Sequence, residues 1–137
     1  MNATKNILDF LPHRPPFVMI DEISIDTNGN GQSSFSIVAD NVLVQDNFFT
    51  ESGLIENMAQ TAGAAMGLKQ QADKSPSLGF IGALKNLKIY TLPRVGAVLH
   101  TEVNFAHQVL NVLLVNGTVK SENNILATCE LKIFIQQ

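Results

Sequence analysis

The stretch from residue 52 to residue 71 constrains this chain more than any other. It reads as the only long helical segment, yet it carries little side-chain bulk. Ala59, Ala62, Gly63, Ala64, Ala65 and Gly67 fill its interior. A glycine inside a helix costs about 1 kcal/mol relative to alanine. Something must compensate, and the expected compensation is close approach of a surrounding sheet. Glu51 and Ser52 suit the first turn, the acid through the helix dipole and the serine as an N-cap.

Strand-like segments lie on both sides of that helix. Residues 4–11 read as a short helix closed by Pro12 and the stiff Pro15-Pro16 pair. Phe17 to Ile25 reads as a strand whose apolar first half is covered on both faces. Asn28-Gly29-Asn30-Gly31 is a hairpin signal, because these residues tolerate positive φ. The return strand, about residues 32–39, sets Phe35 and Ile37 against Ser34 and Ser36. After the helix come four strand-like stretches, roughly 79–90, 97–106, 110–120 and 125–135. In the second, Leu99, Thr101, Val103 and Phe105 oppose His100, Glu102 and Asn104. In the last, Ile125, Ala127, Cys129, Leu131, Ile133 and Ile135 oppose Thr128, Glu130 and Lys132, after a turn at Glu122-Asn123-Asn124. The pattern predicts an α+β fold in which one curved antiparallel sheet wraps a long central helix, as a single domain over residues 1–137.

Composition narrows the function classes. With 137 residues the chain has material for one ordinary core. Its 12 acidic and 9 basic residues give a net charge of -3 without a Lys/Arg cluster, which argues against nucleic-acid and anionic-membrane surfaces. No apolar run approaches the roughly 18 residues of a membrane span, and the N-terminus does not read as a signal peptide. One cysteine, Cys129, cannot form an internal bridge, which fits a reducing compartment. A soluble cytoplasmic protein is expected. No His/Cys/Asp/Glu spacing resembles a metal site, and no cofactor is expected.

Two motifs carry a family resemblance. Leu11-Pro12-His13-Arg14-Pro15-Pro16-Phe17-Val18-Met19-Ile20-Asp21 resembles the opening motif of the bacterial 3-hydroxyacyl-[acyl carrier protein] dehydratases. Leu54-Ile55-Glu56-Asn57-Met58-Ala59-Gln60-Thr61-Ala62-Gly63 resembles the start of their central helix. Asn47-Phe48-Phe49 and Gly79-Phe80 fit as well, so the resemblance spans nearly the whole chain. It implies a hot-dog fold and chemistry on carrier-bound 3-hydroxyacyl thioesters. In that family a histidine removes the proton alpha to the thioester carbonyl, and a carboxylic acid protonates the departing hydroxyl. The acid here is Glu56. The histidine belongs to a loop between the Phe-Phe pair and the helix, but only seven positions separate Phe49 from Glu56, and no histidine lies between His13 and His100. The family's active sites lie across a dimer interface, so a subunit keeping only the acid can complete a site with a partner that supplies the histidine. Such a chain resembles the degenerate dehydratase subunit of aryl-polyene and flexirubin pigment clusters.

Each candidate residue also has a plainer reading. Glu56 shares a helix face with Gln60, Gly63 and Gly67. Burial there would favour the neutral carboxylic acid, the form a general acid requires. The competing reading is an acid held at the helix start for structural ends. Gln60 would orient Glu56 or line the acyl channel, or serve as a packing amide. His13 is the substitute base to consider, although its family counterpart belongs to a structural turn. His100 is expected in solvent and His107 in a loop or at a sheet edge. Cys129 reads as a small core residue. Lys85, Lys88 and Arg94 are the candidates for docking an acidic acyl carrier protein, yet odd spacing would send Lys85 and Lys88 to opposite faces of a regular strand. A dehydratase-like subunit for carrier-bound 3-hydroxyacyl chains, competent only with a histidine-bearing partner, is the leading expectation. Dimerisation is expected, as a homodimer or as a heterodimer with a histidine-bearing dehydratase. A non-catalytic acyl-binding or structural subunit, and a hot-dog thioesterase, are the alternatives.

Overall fold

The structure, a computed structural model, describes residues 7–70 and 78–136. One helix, α1 (Glu51–Gln70), packs on one face of a six-stranded antiparallel sheet. In chain order the strands are β1 (Glu22–Ile25), β2 (Gly31–Ser36), β5 (Leu78–Ile89), β6 (Val98–Val109), β7 (Val112–Ser121) and β8 (Asn124–Gln136). A separate two-stranded hairpin, β3 (Val44–Gln45) and β4 (Phe48–Phe49), precedes the helix. The large sheet runs β1-β2-β6-β7-β8-β5. The helix touches β1 at one edge and β5 at the other, which a sheet can satisfy only by curving around it. This is the helix-in-sheet architecture expected of a hot-dog fold.

Alternation along the strands delivers the core. Leu99, Thr101 and Val103 of β6 face the helix, while His100 and Glu102 face solvent. β8 follows the expected alternation from Ala127 to Ile135, but its start does not. A register slip between Val119 and Lys120 puts Leu126 inside and leaves Ile125 47% exposed. The extra residue of a bulge reverses the parity upstream of it.

Several local expectations are corrected. The expected strand from Phe17 to Ile25 is only Glu22–Ile25, and Phe17 is exposed. Where a strand would make a ladder, the backbone groups of Phe17 and Met19 bond to the helix side chains Asn57 and Gln60. The expected helix over residues 4–11 is a single 3-10 turn at Ile7–Asp9, its first residues lying outside the described ones. The cap of α1 is Thr50, two residues ahead of the expected Ser52: the Gly53 N–H donates to Thr50 Oγ1 at 3.3 Å, and that hydroxyl donates to the Leu43 carbonyl at 2.8 Å. The β3–β4 hairpin turns on Asp46 and Asn47, both at positive φ, a turn signal present in the sequence but not used.

The small residues of α1 meet a mixed fate. The sheet does approach closely where the strand supplies the glycine: a side chain at Gly31 would strike Ala65 Cβ at 2.5 Å, and one at Gly117 would strike Met58 Sδ at 2.9 Å. At the helix's own glycines the sheet does not provide the expected approach. Gly67 lies under the Phe10 backbone, with the carbonyl oxygen 3.2 Å from a would-be Cβ. A Cβ added at Gly63 would meet no atom within 4 Å among the described residues. With no clash to offset the helix propensity gain, Gly63→Ala is expected to raise stability by about 1 kcal/mol. A denaturant titration that showed destabilisation instead would mean that Gly63 is required by the fold.

Candidate functional site

The open space beside Gly63 belongs to a cavity of about 350 Å³. One wall is a face of α1 carrying Glu56, Ala59, Gln60, Gly63 and Met66. Leu11, Pro12 and His13 form a second wall, and Ile81 of β5 with Ile133 of β8 a third. Its polar side chains, Glu56, Gln60 and His13, gather at one end. The volume is within the range of small-molecule sites.

At the polar end, Gln60 Nε2 donates to Glu56 Oε2 at 3.0 Å. His13 Nε2 lies 3.8 Å from the same oxygen, too far for a hydrogen bond and close enough for an ion pair when the imidazole is protonated. Thus the structure brings together the three candidate catalytic residues, Glu56, Gln60 and His13, the last on the irregular segment ahead of β1. Glu56 is not buried as expected: its side chain is 45% exposed, and that of His13 is 35% exposed. Nδ1 of His13 is shielded from solvent and has no hydrogen-bond partner among the described residues.

Gln60 does more than steady Glu56. It is essentially fully buried. Its Oε1 accepts from the Met19 N–H at 2.6 Å, and its Nε2 donates to the Phe17 carbonyl at 2.9 Å. Asn57, also fully buried, donates from Nδ2 to the Met19 carbonyl at 2.8 Å. Two amides one turn apart therefore pin the backbone of residues 17–19 to the helix, and with it the segment that carries His13. Behind Asn57 runs a buried polar seam. Thr101 Oγ1 donates to Asn57 Oδ1, and Thr61 Oγ1 donates to the Asn57 carbonyl at 2.7 Å. Ser33 and Thr61 share a hydrogen bond of 2.7 Å, and Ser33 stands opposite Thr101 in the β2–β6 register. Sequence reasoning missed Asn57, Thr61, Ser33 and Thr101. The signal for them was a run of amide and hydroxyl side chains at positions that the period of the helix or strand assigns to the core.

The docking candidates divide. Lys85 pairs with Glu130 and Lys88 with Thr128, so a register slip absorbs one residue between them. Both lysines therefore face the outer side of the sheet, contrary to the expectation for a regular strand. Arg94 is separate from them, with its guanidinium 4.9 Å above the Phe48 ring. His100 is exposed on the outer face, opposite Ser34 and Lys120. His107 lies within β6, which runs further than expected, just past a bulge. Neither lines the cavity. Cys129 is a buried core residue, and desolvation raises its thiol above the usual range. Among the described residues no three His, Cys, Asp or Glu side chains cluster as metal ligands, and no helix is long and apolar enough to cross a membrane.

No insertion separates the Phe-Phe pair from the helix. Phe49 ends β4, Thr50 caps, and α1 starts at Glu51. With this geometry in place, the comparisons with known proteins are informative. A family model described as ApeP dehydratase, of the ApeP-like type, matches residues 5–137. The chain belongs to the ApeP-like dehydratase family. It is 28% identical over 142 residues to the 3-hydroxyacyl-[acyl-carrier-protein] dehydratase FabZ of Vibrio cholerae, covering 96% of this chain and 90% of that protein. Its fold matches a chain of the dehydratase heterocomplex ApeI:P from Xenorhabdus doucetiae with a TM-score of 0.87 and 22% identity, over 98% of this chain and 93% of the other. A hypothetical thioesterase from Streptococcus pneumoniae, solved with coenzyme A, superposes with a TM-score of 0.67 and 13% identity over 84% of each chain. These two structures show that the hot-dog fold is shared.

In this ApeP-like chain Asn57 links the Met19 carbonyl to Thr101 of the sheet. Asn57→Ala would strand the Met19 carbonyl and the Thr101 hydroxyl in the core, at an expected cost of about 2–4 kcal/mol. Chemical unfolding of the variant tests this. A loss below about 0.5 kcal/mol would show that the seam does not bear on stability.

Proposed function

We propose that this chain, as a single hot-dog domain, is the acid-bearing half of a dehydratase for carrier-bound 3-hydroxyacyl thioesters, with the base supplied by a histidine-bearing partner. The observation that carries the reading is Glu56: a half-exposed carboxylate, held by Gln60 at the polar end of an otherwise apolar cavity. Glu56 is the general acid that protonates the departing hydroxyl, and Gln60 orients it. The direct passage from Phe49 to α1 leaves no loop to bear the family's histidine. Two further features favour a partner. β5 lies at the sheet edge with Ala83 to Lys88 all exposed, including the apolar Leu84 and Leu87. Such an edge invites pairing with another chain. The Xenorhabdus doucetiae structure with this fold is itself a dehydratase heterocomplex. Lys85 and Lys88, now on one face, are available to an acidic carrier protein; Arg94 is set apart from them.

His13 supports a second reading, in which the chain is active by itself. It lines the same cavity 3.8 Å from Glu56. The deciding measurement is dehydration of a 3-hydroxyacyl thioester by the purified protein, alone and mixed with a co-encoded dehydratase. Activity confined to the mixture, and reduced about a hundredfold or more by Glu56→Gln, is the expected result. For that test the partner must keep its histidine and lose its own acid, so that only mixed sites count. Activity of the chain alone that disappears with His13→Ala would instead establish the second reading. Silence in every arm would overturn both and leave an acyl-binding or structural subunit.

A further inference from the structure

We infer that Gly63 sets which acyl chains this cavity admits, with Met66 as its floor; this rests on the proposed acyl-thioester site and deepens it. Gly63 is a helix-interior glycine without a local reason to be one. Its backbone is ordinary helix, and among the described residues nothing within 4 Å would meet a side chain there. The contrast within the chain is direct: side chains at Gly31, Gly53, Gly67 and Gly117 would all meet neighbouring atoms closer than ordinary packing allows. Those glycines serve packing, whereas Gly63 keeps space clear inside the cavity.

The occupant of that space follows from the lining. Glu56 and Gln60 define the polar end, where the reacting end of a thioester substrate would sit. From Glu56 the helix face runs through Ala59 and Gly63 to Met66, a distance of about 10 Å to Gly63 and about 15 Å to Met66 at the helical rise. Apart from the polar end, the walls are apolar, with Ile81 and Ile133 opposite the helix. A narrow apolar passage that starts at a carboxylate and continues for two to three helical turns fits the tail of an acyl chain. The tail must cross Gly63 before it reaches Met66. A short chain ends before that crossing and does not sense residue 63. A long one does. Met66, flexible and nearly buried, closes the far end.

The test reads binding, so it does not require the chain to be catalytic. Acyl-pantetheine amides from short to long chains are titrated calorimetrically into the full-length protein, alone and with its partner dehydratase. Gly63→Leu is expected to weaken the long-chain amides by about tenfold or more while short-chain affinity stays within about twofold. Met66→Ala should move the preference toward longer chains. Gly63→Ala, which the fold accommodates, should fall between wild type and Gly63→Leu. An equal loss at every length, or no change at any, would overturn the inference. Loss of partner association in gel filtration, with the length profile unchanged, would also overturn it and assign the gap beside Gly63 to a side chain of the partner. Failure of the catalytic reading is separable: absent dehydration with length-dependent binding preserved removes the chemistry and keeps the selectivity.

Discussion

Two buried amides organise this molecule. Asn57 and Gln60, one turn apart near the start of α1, hold both backbone groups of Met19 and the carbonyl of Phe17. A segment that lacks strand pairing would otherwise bring unsatisfied peptide groups into the core, at about 1–3 kcal/mol each. Gln60 adds a fourth bond, to Glu56. The same side chain therefore closes the fold over residues 17–19 and fixes the carboxylate at the cavity. Structure and candidate chemistry share one amide, so the position of Glu56 relative to His13 is set by the packing of the core.

The polar seam behind these amides explains how a helix of small residues is held in register. Side chains of alanine and glycine provide few interlocking contacts, and a smooth helix face can slide or rotate on a sheet. Thr101 and Ser33 give the sheet two hydrogen-bonding points that meet Asn57 and Thr61 and no other pair. Buried polar groups of this kind specify an arrangement more than they stabilise it, because each exchanges a bond with water for one inside. The strand glycines Gly31 and Gly117 then let Ala65 and Met58 settle against the sheet. Close packing is thus concentrated on the sheet-facing side of α1. The side that carries Glu56, Ala59 and Gly63 is packed less closely and lines the cavity, with Ile81 and Ile133 of the sheet across from it.

Much of this was legible in the sequence. The alternation of Leu99, Thr101 and Val103 is a direct consequence of strand geometry, and the sparse helix demanded a sheet around it. The motifs around His13 and Glu56 located two of the three walls of the cavity. The failures have physical causes. Bulges shift side-chain parity by one, which hid the burial of Leu126 and the common face of Lys85 and Lys88. Phe17 to Ile20 has the composition of a strand, but its partners are helix side chains from some forty residues away, and propensity is blind to such tertiary bonds. Asn57 was overlooked because the run of polar side chains it forms with Gln60 and Thr61 does not name its partners, which lie on other elements at Met19 and Thr101.

The exposure of Glu56 bears on the proposed need for a partner. A general acid must deliver a proton to a leaving group, and a water-excluded setting makes that delivery more effective. This chain supplies the position: helix, amide clamp and apolar walls place one carboxylate oxygen within 3.0 Å of Gln60 Nε2. It does not supply the cover, since nearly half of that side chain is open. His13 lines the same cavity, and among the described residues the sheet edge at β5 is unpaired. Under the proposed function, one partner surface would supply both the base and the cover. Chemistry would then be conditional on assembly: the amide clamp forms within this chain, and the complex would supply the dry site.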